Sequence, residues 1–343
     1  MTRLGVAAVT IFAVAGSIAG LLYLTNFGQD ALFKRAADQI LNAKSNPLEG
    51  MRVTVCGSAS PLGFDPDRAQ ACIAVVTPEH FFLFDVGARS PLRIQQARLP
   101  LDRLDGIFLT HFHSDHIAGL ADVNLASWVQ GRPSALKIFG PTGVTKVVEG
   151  LNQAYELDYS YRTAHHGDEL LPPELGPMQA KPFRKGDMVW QDKLMTISSF
   201  VVEHPPIEPA VGYRIDYKGR TVVISGDTNV TEVLFEHAKD ADLVLHDALS
   251  LTLLEPMMEI APYPMNAIMA DVIDYHANIE TLSSKALDAG IKKLVLYHLV
   301  PVPTNALTEK MFLRGIPAEI TLAKDLQSFD LPANTKEIVI NEP

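Results

Sequence analysis

The sequence predicts an α/β fold in which two packed mixed sheets carry helices on their outer faces, an αββα sandwich. Short runs rich in β-branched and aromatic residues recur along most of the chain, each bounded by Gly, Pro or Asp. Helical stretches fall between them, which suggests two packed sheets with helices outside. Hydrophobic residues make up 47% of the 343 and charged residues 20%, so there is apolar material for a large core.

The amino terminus differs in kind from the rest of the chain. Residues 4–25 hold no charged side chain and are dominated by Val, Ala, Ile, Leu and Phe. That is about the ~20 residues a helix needs to cross a bilayer. Arg3 supplies a positive flank, and no A-x-A site closes the run. Residues 1–28 are therefore expected to form an uncleaved signal anchor, a transmembrane helix, with a cleaved and secreted form as the alternative. Lys34, Arg35 and Lys44 compete with Arg3 for orientation. The expectation is a catalytic part facing the outside of the cytoplasmic membrane. Residues 29–50 read as a stalk or linker helix closed by Pro47 and Gly50, and residues 51–343 as the globular domain.

Within that domain strands are expected at residues 51–55, 72–76, 81–84, 106–110, 136–139, 195–197, 211–215, 221–224, 243–245 and 293–297. Helices are expected at 142–155, 230–238 and 279–289, the last followed by Gly290 in the place of a C-cap glycine. Residues 156–194 are richest in Pro, Gly, charge and aromatics, and read as an inserted lobe or lid. The two cysteines, Cys56 and Cys72, are too few for a disulfide framework or a four-thiolate zinc site. They sit in neighbouring strand-like segments, so a single bridge and a pair of buried thiols both remain open. The formal charge of −11 argues against a broad nucleic-acid-binding surface, because phosphate binding normally needs a basic footprint.

The chemistry concentrates where the 106–110 strand ends. His111, His113, Asp115 and His116 place four potential ligands in six residues. In extended backbone 111 and 113 point the same way, and the following turn brings 115 and 116 to a second point nearby. Imidazole with carboxylate suits zinc or a similar divalent ion.

The run Thr110-His111-Phe112-His113-Ser114-Asp115-His116-Ile117-Ala118-Gly119 resembles the H-x-H-x-D-H motif of the metallo-β-lactamase superfamily. Other segments resemble that family in order: Phe84-Asp85-Val86-Gly87, His204 followed by two prolines, Ser225-Gly226-Asp227, and Leu296-Tyr297-His298. The resemblance implies two divalent metal ions, zinc first with manganese or iron as alternatives. His111, His113 and His204 would hold one ion, and Asp115, His116 and His298 the other, with Asp227 bridging. Such a pair can share a water and lower its pKa toward neutrality.

Within the superfamily the chain is most similar to the ribonuclease Z and arylsulfatase-like branch. Arg214 in Gly212-Tyr213-Arg214, the segment Val244-Leu245-His246-Asp247-Ala248, and His276 carry that similarity. It implies that Asp247 orients His276 as general acid, so Asp115, His276 and Asp247 are the catalytic candidates. Two departures weaken the match: Asp247 stands where the family usually has Glu, and His276 is followed by Ala277-Asn278 rather than Ser-Thr. The implied activity is hydrolysis of a phosphodiester or sulfate ester in a small anionic substrate. The alternatives are transfer-RNA 3′-processing, which the acidic surface disfavours, and lactone hydrolysis, with a non-catalytic metal-binding protein as the contrasting class. A homodimer is left open. Arg89 near the site mouth is a candidate for an anion contact, and His165 and His166 for a substrate-facing role. Tyr155, Tyr159, Tyr161 and Phe183 are candidates for lining a pocket.

Overall fold

The computed structural model describes residues 20, 22–41, 48–184 and 186–343. The chain divides into two compact units, residues 1–47 and 48–343. In the first, helix α1 (Asn26–Leu41) covers much of the expected stalk. Residues 1–19 and 21 of the expected anchor lie outside the described residues. Among the described residues no helix is long and apolar enough to cross a membrane. Helix α1 has 16 residues, short of the ~20 a span needs, and Asp30, Lys34, Arg35 and Asp38 interrupt its apolar positions.

The second unit is the sandwich. Its first sheet is formed by β1 (Gly50–Gly57), β2 (Cys72–Val76), β3 (Phe81–Phe84), β4 (Gly106–Phe108), β5 (Lys137–Gly140), β6 (Gln179–Pro182), β14 (Ser328–Pro332) and β15 (Val339–Asn341). The spatial order is β15-β14-β1-β2-β3-β4-β5-β6. The second sheet holds β7 (Met188–Gln191), β8 (Met195–Val201), β9 (Val211–Tyr217), β10 (Arg220–Ile224), β11 (Leu243–Leu249), β12 (Leu294–Val300) and β13 (Thr321–Leu322), in the order β13-β12-β11-β10-β9-β8-β7. Both are mixed, with antiparallel pairs such as β1–β2 and β8–β9 and parallel pairs such as β3–β4 and β10–β11.

Strand alternation builds the layers. Phe82, Phe84, Phe108 and Phe139 of the first sheet meet Tyr213, Ile215, Val222 and Leu245 of the second in one buried cluster. The intervening Phe81, Leu83, Ile107 and Ile138 face outward onto helices α2 (Ser90–Gln96), α4 (Leu120–Val129) and α5 (Val144–His166) through Ile94, Leu120, Val123 and Val148. On the far side, Val223, Val244 and Leu296 pack on helices α6 (Glu232–Ala238), α9 (Ile279–Asp288) and α10 (Ala306–Phe312). A period of two with both phases apolar is what a sheet covered on both faces requires.

Two further ties fasten the strands. Cys56 and Cys72 form a disulfide between β1 and β2, which closes the question the sequence left open. The buried Arg220 pairs with Asp242 at 3.0 Å and donates to the carbonyls of Thr335 and Glu337, linking the second sheet to the carboxy-terminal segment. Residues 156–194 hold the end of α5, then β6 at the edge of the first sheet and β7 at the edge of the second. This stretch carries the chain from one sheet to the other.

Candidate metal centre

The site forms where several strands of both sheets end. β4 runs through Leu109 and Thr110 into His111, and the short helix α3 (Ser114–Ile117) carries Asp115 and His116. Asp85, just after β3, fixes this loop: Oδ1 accepts from the Thr110 amide at 2.8 Å, and Oδ2 accepts from the Thr110 hydroxyl and faces His116 Nδ1, both at 2.8 Å. Asp85 has φ of 55°, a strained value for a non-glycine residue at the heart of a site. Gly87 permits the close approach of the next segment, since a Cβ there would stand 2.0 Å from the Asp115 carbonyl oxygen.

The second sheet brings the remaining groups. His204 follows β8, and its Nδ1 lies 3.1 Å from the Tyr275 carbonyl, a bond that makes Nδ1 the protonated nitrogen and leaves Nε2 to face the site. Asp227 sits on the turn after β10. That turn needs Gly226, at φ 65°, where a Cβ would also meet the Thr110 side chain at 2.9 Å. His298 lies inside β12, and there the register with β11 slips: Asp247 faces Tyr297 and Ala248 faces Leu299. His298 is the extra residue of this bulge, with φ of 45°, and the bulge turns its ring into the site.

These side chains fall into two groups, His111, His113, His204 and Asp227, and Asp115, His116, Asp227 and His298, each with ligand atoms within 4.8 Å of one another. In the first, His113 Nδ1 lies 3.0 Å from His111 Nε2 and 3.3 Å from His204 Nε2. In the second, Asp227 Oδ2 lies 3.2 Å from His116 Nε2 and 3.4 Å from His298 Nε2, and Asp115 Oδ2 lies 3.0 Å from His298 Nε2. The other oxygen of Asp227 is buried with no hydrogen-bond partner. Three imidazole nitrogens converging in a buried space, beside an orphaned carboxylate oxygen, make poor hydrogen-bond partners for one another but fit a divalent cation.

The electrostatics differ between the groups. Burial pushes His111, His113 and His204 below the usual imidazole range, so they are neutral and their lone pairs open. Burial also opposes charge on His116 and His298, but Asp227 and Asp115 outweigh it and raise both. Conversely, burial disfavours ionised Asp115 and Asp227, yet His116 and His298 hold both carboxyls well below the ordinary range. Ligands hold a metal in their deprotonated form, so a cation bound at the second group would release protons.

Beside the ligands lies a second pair. Asp247, fully buried on β11, accepts at Oδ2 from the Ala277 amide at 3.2 Å and faces His276 Nδ1 at 2.9 Å. The ring of His276 stacks on that of His298, with centroids 5.3 Å apart. Burial opposes ionisation of Asp247, but His246 and His276 lower its pKa and keep it a carboxylate. With Nδ1 engaged, Nε2 is the nitrogen that can exchange a proton with a substrate. The cavity over this ensemble, about 260 Å³, is lined in part by His113, Ser114, Asp115, Asp227, His276 and His298.

Other candidates lie elsewhere. Arg214 projects from β9 between the buried Tyr213 and Ile215, and pairs with Asp216 and the His237 carbonyl. Arg89 donates to the Asp65 carbonyl and stands over the Phe64 ring. His165 and His166 are exposed at the end of α5. Tyr155 and Tyr159 pack in a small cluster with Trp128, Phe183 packs against the core, and Tyr161 is exposed. None of these lines the cavity over the metal ligands.

Two ligand groups sharing one aspartate, at the strand ends of an αββα sandwich, define a metal-dependent hydrolase class. The profile of the beta-lactamase superfamily domain matches residues 80–299. The ribonuclease Z of Mycobacterium bovis (strain BCG / Pasteur 1173P2) is 34% identical over 254 residues, 73% of this chain and 86% of that protein. Among solved structures of the same fold, human tRNase Z, short form, superposes with a TM-score of 0.58 at 20% identity, covering 82% of this chain and 99% of that one. Zn²⁺-bound PqqB from Methylobacterium extorquens gives 0.57 at 17% identity, covering 82% and 100%. The chain belongs to the metallo-β-lactamase superfamily, as a metal-dependent hydrolase homologous to ribonuclease Z.

Proposed function

We propose that this protein is a binuclear metal-dependent phosphodiesterase of the ribonuclease Z type, hydrolysing phosphodiester bonds in RNA. The observation that carries the reading is the Asp247–His276 pair, 2.9 Å apart, with His276 lining the same cavity as His113, Asp115, Asp227 and His298. The 34% identity to a protein named ribonuclease Z favours a phosphodiester over a sulfate ester. His111, His113 and His204 would hold one ion and Asp115, His116 and His298 the other, with Asp227 between them. Bound there, divalent ions, zinc foremost given the zinc in PqqB, supply Lewis acidity and a water of lowered pKa. The chain's own part is placement and proton delivery. Asp85 and the Tyr275 carbonyl fix the rings of His116 and His204. Asp247 fixes His276, whose Nε2 gives a proton to the leaving oxygen.

A second reading, an exported diesterase acting on smaller substrates, is favoured by the Cys56–Cys72 bridge. Disulfides persist in oxidising compartments, and the uncharged run at residues 4–25 is the kind that directs or anchors export. The test sets the zinc-loaded protein against a precursor transfer RNA and bis(p-nitrophenyl) phosphate. Cleavage of the precursor at its 3′ side supports the first reading, and turnover of the small diester alone supports the second. Turnover of neither overturns both.

A further inference from the structure

The rest of the cavity wall is built from different material. Ser60, Pro61, Leu62, Val272, Tyr275 and Val300 complete the lining, and among the described residues no lining residue is Lys or Arg. Apart from the metal ligands, Ser114 and His276, the ester therefore meets a surface with no cation to receive a further phosphate. A second phosphoryl group beside this wall would meet no counter-charge, on a chain of net charge −11.

The wall is fixed in place before any substrate arrives. The Leu62 carbonyl accepts from the Val302 amide at 3.0 Å, and the Ser60 hydroxyl donates to the Leu299 carbonyl at 2.7 Å. These bonds fasten the 58–64 loop to the end of β12, next to His298. On the other side Tyr275 is tied to His204 through its carbonyl, and Asn229 donates to the Asp274 carbonyl at 2.6 Å. The apolar groups rest on the subcore of Leu249, Leu254 and Met269 beneath helices α7 (Leu251–Ile260) and α8 (Met265–Asp271). Both sides of the wall are thus registered to metal ligands, and the Tyr275 ring is only half buried.

We propose that Leu62, Val272, Val300 and Tyr275 form the specificity wall of the site and receive an uncharged ring carried by one ester arm of a singly charged phosphodiester. The ligands take the phosphate, and the wall takes the ring by apolar contact and by stacking on Tyr275. An aryl substituent and a nucleobase share this chemistry. The proposal rests on the phosphodiesterase reading but not on RNA as the substrate.

The experiment is calorimetric binding to the zinc-loaded protein of dimethyl phosphate, diphenyl phosphate and thymidine 5′-methyl phosphate. Diphenyl phosphate is expected to bind at least tenfold tighter than dimethyl phosphate, about 1.4 kcal/mol. Leu62→Ser should remove most of that preference while shifting dimethyl phosphate less than twofold. Val272→Thr, which keeps the side-chain shape, is the second variant should Leu62→Ser not fold. A gain shared by the thymidine ester supports the wall with a base as the ring, and a gain confined to diphenyl phosphate supports it with an aryl group. Binding of all three within twofold, or a preference unchanged in both variants, overturns the wall. Should the preference hold while the wild type hydrolyses no diester, the phosphodiesterase reading falls and the wall stands.

Discussion

Replacing Asp247 by Asn tests how much of the chemistry runs through His276. The substitution keeps shape and removes one charge. In the wild type Asp247 Oδ2 faces His276 Nδ1 at 2.9 Å and takes the Ala277 amide at 3.2 Å, and the side chain is wholly buried. An amide oxygen can still accept one of these bonds, so the fold should persist. What disappears is the charge assistance, the difference between a hydrogen bond to an ion, about 1.5–3 kcal/mol, and a neutral one, about 0.5–1.5 kcal/mol. That leaves about 1–2 kcal/mol, or roughly five- to thirtyfold in kcat at tenfold per 1.36 kcal/mol. His276→Ala, which removes the proton donor itself, should cost about 10²–10⁴-fold. The assay is hydrolysis of bis(p-nitrophenyl) phosphate, with metal content measured on the same samples. Two metals per chain with kcat lowered and KM nearly unchanged is the expected result in both variants. Full activity in Asp247→Asn, or an equal loss of activity and metal, would refute a proton-delivering role and make the pair merely structural.

The same geometry sets three other outcomes. Asp85→Ala removes the group that orients His116 and should weaken metal binding about 10–100-fold, read by competition with a chelating dye. Reducing the Cys56–Cys72 bridge, which spans a sequence separation of 16, should cost about 3 kcal/mol of stability, seen as an earlier denaturant midpoint. Burial works against ionised Asp242, but Lys292 and Arg220 lower its pKa below the ordinary carboxylate range. Its contribution is therefore fully present above the unfolded-chain value and is lost as pH falls through the lower folded-state value. Asp242→Asn should lower stability by about 3–5 kcal/mol at neutral pH, since it leaves Arg220 buried and unpaired. It should also flatten the fall in stability below about pH 4, and a wild type and variant with parallel pH profiles would contradict this.

Much of the candidate site was legible because the residues that could hold metal are types with few other reasons to cluster. His111, His113, Asp115 and His116 announce themselves within one segment, and His204, Asp227 and His298 each follow or interrupt a strand. Asp247 and His276 were legible only through resemblance, since 29 positions separate them and nothing local couples them. The Tyr275 carbonyl could not be read at all, because backbone groups carry no residue signature. Asp85 stood in a recognised turn, yet its bonds to Thr110 and His116 needed three dimensions. Arg214, which carries part of the resemblance, lies away from the cavity. It alternates with Tyr213 and Ile215, both buried between the sheets, so strand parity alone directs it to the outer face. The specificity wall joins Leu62 to Val300, residues too distant in sequence for any pattern to pair.

The division of ligands between the sheets has a thermodynamic consequence. His111, His113, Asp115 and His116 hang from the first sheet, while His204, Asp227 and His298 belong to the second. Any ion held by both sets binds only the docked sandwich, so its affinity and the docking free energy are linked quantities. A cavity made deep in the aromatic layer, as by Phe108→Ala, would then be read out at the site as weaker metal retention, although Phe108 is not among the candidate ligands. The metal in turn would act as a fastener, so that chelation loosens the two halves and restoring the ion rebuilds them.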